Sequence, residues 1–293
     1  MSLFPVAGGS CLVSCRIDDL GPDGTIIPHG YVRQFDQYAA LIAQQLRQMY
    51  TNGQRRLSLA IPYFEGGDTF ALDSAAGALT AADRANLIAL VQLARSIGFV
   101  EFVVEMIPEW SAAYTNWQNP AVMGAQGTRV FQPLVYDRDF AFTIDVDRAM
   151  SETGAFYHMD LVAEGADVAV CARMWSDWCD QKGGAAGALG FSMVPTQASI
   201  DNFPRIYANG IEPAALSVHA YNDTPAEMDW PAWLTATALW PQGFVIGESL
   251  CGSPAADQIF AASPDRLFYR FVWPISSNTA NVTQDCLTMA QQF

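Results

Sequence analysis

The sequence predicts an α/β fold, a (β/α)8 TIM barrel forming a single domain over residues 1–293. Three observations carry that expectation. Eight short apolar stretches of strand length alternate with stretches whose apolar residues recur at helical spacing. No change of composition marks a linker. The length of 293 residues suits one closed barrel, since such domains commonly occupy ~250 residues. An open, doubly wound sheet is the competing arrangement, but no Gly-x-Gly-x-x-Gly turn follows the first strand.

Ser10 to Asp18 reads as the first strand, ending in Arg16, Asp18 and Asp19, with a Gly21-Pro22-Asp23-Gly24 turn behind it. Tyr31 to Tyr50 places Phe35, Tyr38, Leu41, Ile42, Leu46 and Met49 on one helical stripe, closed by Asn52-Gly53. Arg56 to Tyr63 is the second strand, leading into a polar loop with Glu65, Gly66, Gly67 and Asp68. Thr80 caps a helix that runs to Ile97 and stops at Gly98. Phe99 to Ile107 is the third strand, apolar apart from Glu101 and Glu105, as expected of a parallel strand covered on both faces. The stretch after it, about residues 108–139, reads as a long functional loop carrying Trp110 and Trp117.

A helix follows over Phe142 to Ser151, and Phe156 to Glu164 is the fourth strand. Asp167 to Lys182 is helical, with Trp175 and Trp178 at packing spacing, and ends at Gly183-Gly184. Leu189 to Val194 is the fifth strand, Ile200 to Ala208 a helix, and Ala214 to Tyr221 the sixth strand. Met228 to Leu239 is a helix with Trp230 and Trp233, again read as packing. Phe244 to Glu248 is the seventh strand, an apolar run that ends abruptly on a carboxylate. Pro254 to Ala262 is helical, Arg266 to Trp273 is the eighth strand, and Val282 to Met289 is a terminal helix.

Composition narrows the partners. Hydrophobic residues make up 51% and charged residues 15%, enough for a sizeable ordered core. The formal net charge of -15 argues against nucleic acid and against an anionic membrane surface, both of which need clustered Lys and Arg. No apolar run reaches the ~18 residues of a spanning helix. Met1-Ser2-Leu3 ahead of Phe4-Pro5 reads as a scar on a trimmed chain. The expected compartment is then secreted or periplasmic if a leader preceded it, and cytoplasmic otherwise. The expected form is a monomer. Six cysteines include no Cys-x-x-Cys pair, and neither Cys11 with Cys15 nor Cys171 with Cys179 sits at disulfide spacing, so they read as buried apolar residues. Three histidines in all make a histidine-rich metal centre improbable.

Chemistry in such a barrel gathers at the C-terminal strand ends. Those ends carry Arg16, Asp18 and Asp19 on strand one, Tyr63 and Glu65 on two, and Glu105, Glu109 and Trp110 on three. Strand four brings His158, Asp160 and Glu164, strand six His219 and Tyr221, strand seven Glu248, and strand eight Trp273. Each has a plain structural alternative. Glu164 suits the start of the next helix, where a carboxylate meets the positive dipole end. His158 suits a hydrogen-bonding strand residue, and His219 and Tyr221 suit the edge of the core.

A glutamate closing strands four and seven, His-x-Tyr closing strand six and Trp closing strand eight resemble the large clan of retaining glycoside hydrolases built on a (β/α)8 barrel. The resemblance extends over nearly the whole chain. It implies hydrolysis of O-glycosidic bonds in a polysaccharide or oligosaccharide, with Glu164 as acid/base and Glu248 as nucleophile. His219 and Tyr221 would line the sugar subsite, and Trp273 would form its aromatic floor. Arg16, Asp18, Glu105, Trp110, Asp160 and His158 are further candidates for sugar contacts. The implied partner is a carbohydrate, with no metal or organic cofactor. One departure stands out: the clan has Asn directly before the acid/base, and Ala163 occupies that position here. That opens a second expectation, a non-catalytic carbohydrate-binding barrel. A third is a different barrel hydrolase that pairs Asp160 with His158.

Overall fold

A computed structural model describes residues 9–13, 16–20, 26–51, 53–108, 133–163, 168–194, 197–220, 243–249 and 267–271. The expected barrel is present. Its eight strands are β1 (Gly9–Val13), β4 (Gln54–Phe64), β6 (Glu101–Pro108), β7 (Tyr157–Val162), β8 (Gly190–Met193), β9 (Leu216–Ala220), β10 (Phe244–Ser249) and β11 (Leu267–Arg270). They lie side by side in that order, every neighbouring pair parallel. β11 returns against β1, so the row curls round on itself. Five helices alternate with these strands among the described residues: α1 (Phe35–Thr51), α2 (Ala81–Ile97), α3 (Pro133–Glu152), α4 (Val168–Lys182) and α5 (Gln197–Ile206). The helices expected over 228–239, 254–262 and 282–289 lie outside the described residues.

Strand alternation sorts side chains into two cores. Outward residues such as Leu57, Leu59, Val104, Met159, Leu161, Phe191, Val218 and Ile246 join the helices in one large buried cluster. Val103, Leu189, Ala215, Val245 and Phe271 form a second, smaller cluster inside the barrel. Trp175 and Trp178 are packing residues, as expected of their spacing. Both are buried, and their indole N–H groups donate to Ile211 O and Ala185 O. Cys171 and Cys179 are buried, as expected. Gly190 opens β8 at φ 77, and the Tyr207 hydroxyl lies where a Cβ would stand, so only glycine fits.

Three expectations need correction. The first strand is shorter than Ser10 to Asp18. It ends at Val13, and Arg16, Asp18 and Asp19 lie on β2 (Arg16–Leu20), which pairs antiparallel with β3 (Ile26–Gly30). The antiparallel pairing of β2 with β3 brings the chain back on itself here instead of leading it from the first strand into a helix. The expected loop reached to about residue 139, but α3 already begins at Pro133, and a proline is compatible with the first helical turn; residues 109–132 lie outside the described residues. Tyr63 faces outward, buried against Phe142 with ring centroids 5.2 Å apart, and not onto the rim. Glu65, beyond the strand, is held by Arg138 Nη1 at 2.9 Å.

Candidate active site

The inward face of the barrel is polar at both ends. At the N-terminal end, Arg56 Nε donates to Glu101 Oε2 at 2.8 Å, and His158 Nε2 lies 3.2 Å from Glu101 Oε1. His158 Nδ1 lies 2.6 Å from Gly187 O. All three side chains are buried. His158 therefore belongs to a closed structural cluster below the core, not to the C-terminal rim where the sequence reading placed it. Being the second residue of its strand is the reason. The expected pairing of Asp160 with His158 is not formed: at this far end its Nδ1 meets Gly187 O and its Nε2 lies beside Glu101.

At the C-terminal end a second polar set converges. Register pairs Glu105 on β6 with Asp160 on β7, and His219 on β9 with Glu248 on β10. Ser192 on β8 and Ser217 on β9 are paired between them. His219 stands in the middle. Its Nε2 lies 3.3 Å from Glu105 Oε1 and its Nδ1 3.6 Å from Glu248 Oε2. Glu105, Asp160 and His219 are at most 1% exposed, whereas Glu248 keeps 5%, so of these four Glu248 retains the most surface.

Plain alternation along β10 does not bring Glu248 inward. Phe244 and Ile246 face the helices, so Val245 and Gly247 face the barrel and Glu248 would turn outward. A register shift between Ile246 and Glu248 reverses this: two residues of β10 advance against one of β9. Gly247 is the extra residue. A Cβ there would stand 2.5 Å from Ser217 Oγ and 3.5 Å from the His219 ring. The glycine thus serves two needs, the irregular strand and the close approach of the site's own side chains.

Asp160 is buried among these groups, and Ser192 N donates to its Oδ1 at 3.1 Å. Burial pushes its carboxyl up to about 6, partly offset by the charge of His219 and by the Ser192 and Ser217 groups. It therefore titrates in the mildly acidic range. Glu105, His219 and Glu248 offer ligand atoms within 4.8 Å of one another, a spacing a metal ion could use. The two imidazole nitrogens face different carboxylates, however, so the ring stands between the acids instead of sharing one open corner with both. The arrangement is a buried imidazole flanked by carboxylates, with Glu248 at its more exposed end.

Of the residues expected in the site, the structure brings together Glu105, Asp160, His219 and Glu248. Arg16 and Asp18 lie on the β2–β3 hairpin beyond the C-terminal end of β1. Trp110, Glu164, Tyr221 and Trp273 lie outside the described residues. Ala163, the residue before Glu164, is described: it is buried, and its N–H donates to Met106 O at 2.8 Å. Sequence reasoning missed Ser192, Ser217 and Gly247. Gly247, directly ahead of an acid in an apolar run, was the available signal for the last.

No protein-family model matches the sequence, and no curated protein matches it. The fold, by contrast, has solved likenesses. A β-mannanase from the blue mussel Mytilus edulis is similar with a TM-score of 0.55 at 13% identity, over 98% of this chain and 97% of that one. An exo-β-1,4-mannosidase from Opitutaceae bacterium strain TAV5 is similar with a TM-score of 0.59 at 13% identity, over 98% of this chain and 60% of that one. A homocysteine methyltransferase from Escherichia coli, in metallated form, is similar at 0.52 and 14% identity, over 90% of this chain and 88% of that one. These likenesses establish the barrel. That a methyltransferase stands beside a β-mannanase and an exo-β-1,4-mannosidase means the barrel alone does not decide the chemistry.

Proposed function

We propose that this single-domain barrel is a retaining glycosidase that hydrolyses O-glycosidic bonds of an oligosaccharide or polysaccharide, with β-mannan the first substrate to test. The observation that carries the reading is the placement of Glu248. It is an inward carboxylate at the C-terminal end of the seventh barrel strand, beside His219 on the sixth. The fold likeness to a β-mannanase and a β-1,4-mannosidase supports the choice of substrate class.

In this reading Glu248 attacks the anomeric carbon and forms a covalent glycosyl-enzyme. Glu164 protonates the departing glycosidic oxygen and then, as base, takes a proton from the water that releases the sugar. Retention requires the two carboxyl groups about 5–5.5 Å apart. His219 stands behind the nucleophile, and Tyr221, Trp273, Trp110, Arg16 and Asp18 are assigned to the sugar. Flat aromatic faces suit the apolar faces of pyranose rings. Carbohydrate is the only partner the reading requires, and neither a metal nor an organic cofactor takes part.

Two variants test this. Glu164→Gln and Glu248→Gly each abolish hydrolysis across a glycan panel, and azide restores the second by forming a glycosyl azide. Hydrolysis undiminished in both variants would refute these assignments. One observation favours a second reading, a carbohydrate-binding barrel without catalysis: Ala163 stands where a sugar-binding Asn is expected, and its buried methyl offers no hydrogen bond. Saturable glycan binding without any product separates that outcome.

A further inference from the structure

Glu105 was expected to contact sugar, yet at 1% exposure it has almost no surface to offer one. Its neighbours suggest other work. The titratable groups facing His219 among the described residues are Glu105 from β6, Asp160 from β7 and Glu248 from β10, while β8 presents the Ser192 hydroxyl. A neutral imidazole has one N–H donor and one lone pair. With a carboxylate oxygen at each ring nitrogen, the neutral ring would aim its lone pair at an anion. The doubly protonated ring puts its positive charge between the two acids, 3.3 Å from Glu105 Oε1 and 3.6 Å from Glu248 Oε2, as an ion pair and not as a pair of hydrogen bonds. Burial by itself favours the neutral ring, so the surrounding negative charge decides the state.

We propose that Glu105, backed by Asp160, is a positioning residue: it holds His219 as an imidazolium whose charge lies beside Glu248, and so keeps that carboxylate ionised and turned toward the cleft. The consequence for catalysis rests on the reading of Glu248 as nucleophile; the charge state of His219 does not.

The test separates the two. The chain has three histidines, His29, His158 and His219, so the imidazole resonances of the full-length protein can be followed by NMR across pH. Loss of one resonance in His219→Asn assigns it. His219 is expected to carry protons on both nitrogens at pH 7. In Glu105→Gln, which keeps the side-chain shape, its midpoint falls by about one pH unit or more. Glu101→Gln, which faces His158 instead, leaves the His219 midpoint where it was. A singly protonated His219 at pH 7 in the unaltered protein overturns the proposal, and this result needs no variant to fold. An unchanged midpoint in folded Glu105→Gln overturns it equally. On a hydrolysed glycan, Glu105→Gln is expected to lower kcat most toward alkaline pH with KM near its original value; a raised KM at unchanged kcat would return Glu105 to the sugar contacts. If the titration behaves as described while no glycan is hydrolysed, the glycosidase reading fails and the charged imidazole stands.

Discussion

Asp160 ties the site to the stability of the fold. Its folded carboxyl titrates near 6 against an ordinary 3.8, because burial penalises the charged form. The native state therefore holds this proton more tightly than the unfolded chain between those values. Its contribution turns unfavourable as pH rises through that window, and is fully unfavourable above it. A difference of about two pH units corresponds to roughly 3 kcal/mol. Asp160→Asn is expected to raise stability at pH 7.5 by up to about that amount and to leave it unchanged near pH 3.5. Chemical denaturation at the two pH values checks this, and an equal effect at both would contradict it. Gly247→Ala is the opposite case. Its added methyl would press on Ser217 Oγ and the His219 ring. The expected result is a cost of about 1–3 kcal/mol together with loss of activity, read by denaturation and by assay. At this scale the identities of Glu248 and His219 were legible, since both close apolar strands. The inward turn of Glu248 was not, because simple alternation puts Gly247 on that face and only the register shift reverses it.

Single elements followed local chemistry closely where a cap or breaker was present. Thr80 Oγ1 accepts from Asp83 N at 3.1 Å and donates to Asp83 Oδ2 at 2.7 Å, and Gly98 ends α2 at φ 124. Thr80→Ala is expected to cost about 1 kcal/mol, a shift in denaturation midpoint without a change in activity per folded molecule. Where such signals compete, the reading went astray. Ser10 to Asp18 is apolar enough for one strand, but the chain turns off the barrel after Val13 and pairs residues 16–20 with 26–30 instead. A hairpin off the barrel is a tertiary choice, and a Gly- and Pro-rich stretch of sequence reads the same ahead of a helix. The start of α3 was misplaced for a related reason. The residues after Pro133 hold their place through partners distant in sequence, as Arg138 does with Glu65.

Across the whole molecule, the barrel keeps two buried polar layers apart with an apolar plug. Val103, Leu189, Ala215, Val245 and Phe271 separate the Arg56–Glu101–His158 cluster below from the Glu105–Asp160–His219–Glu248 group above. Arg56, Glu101 and His158 are buried against one another, which suits a structural role. Glu101→Ala would remove the buried carboxylate that accepts from Arg56 Nε and is expected to cost about 3–5 kcal/mol, with activity retained by the molecules that fold. The fold class was legible from strand and helix alternation alone, because every barrel strand is an apolar run. Which end of a strand a polar residue occupies was harder to see, and His158 shows why: it lies two residues from Asp160 yet serves the opposite layer. The central claim concerns the upper layer, that Glu248 bonds covalently to a sugar during turnover. Mass spectrometry after incubation with a 2-deoxy-2-fluoro glycoside of a hydrolysed sugar tests it most directly. The account predicts one added glycosyl unit per chain, carried on the peptide containing Glu248. Hydrolysis that proceeds with the label on another residue, such as Asp160, would contradict it.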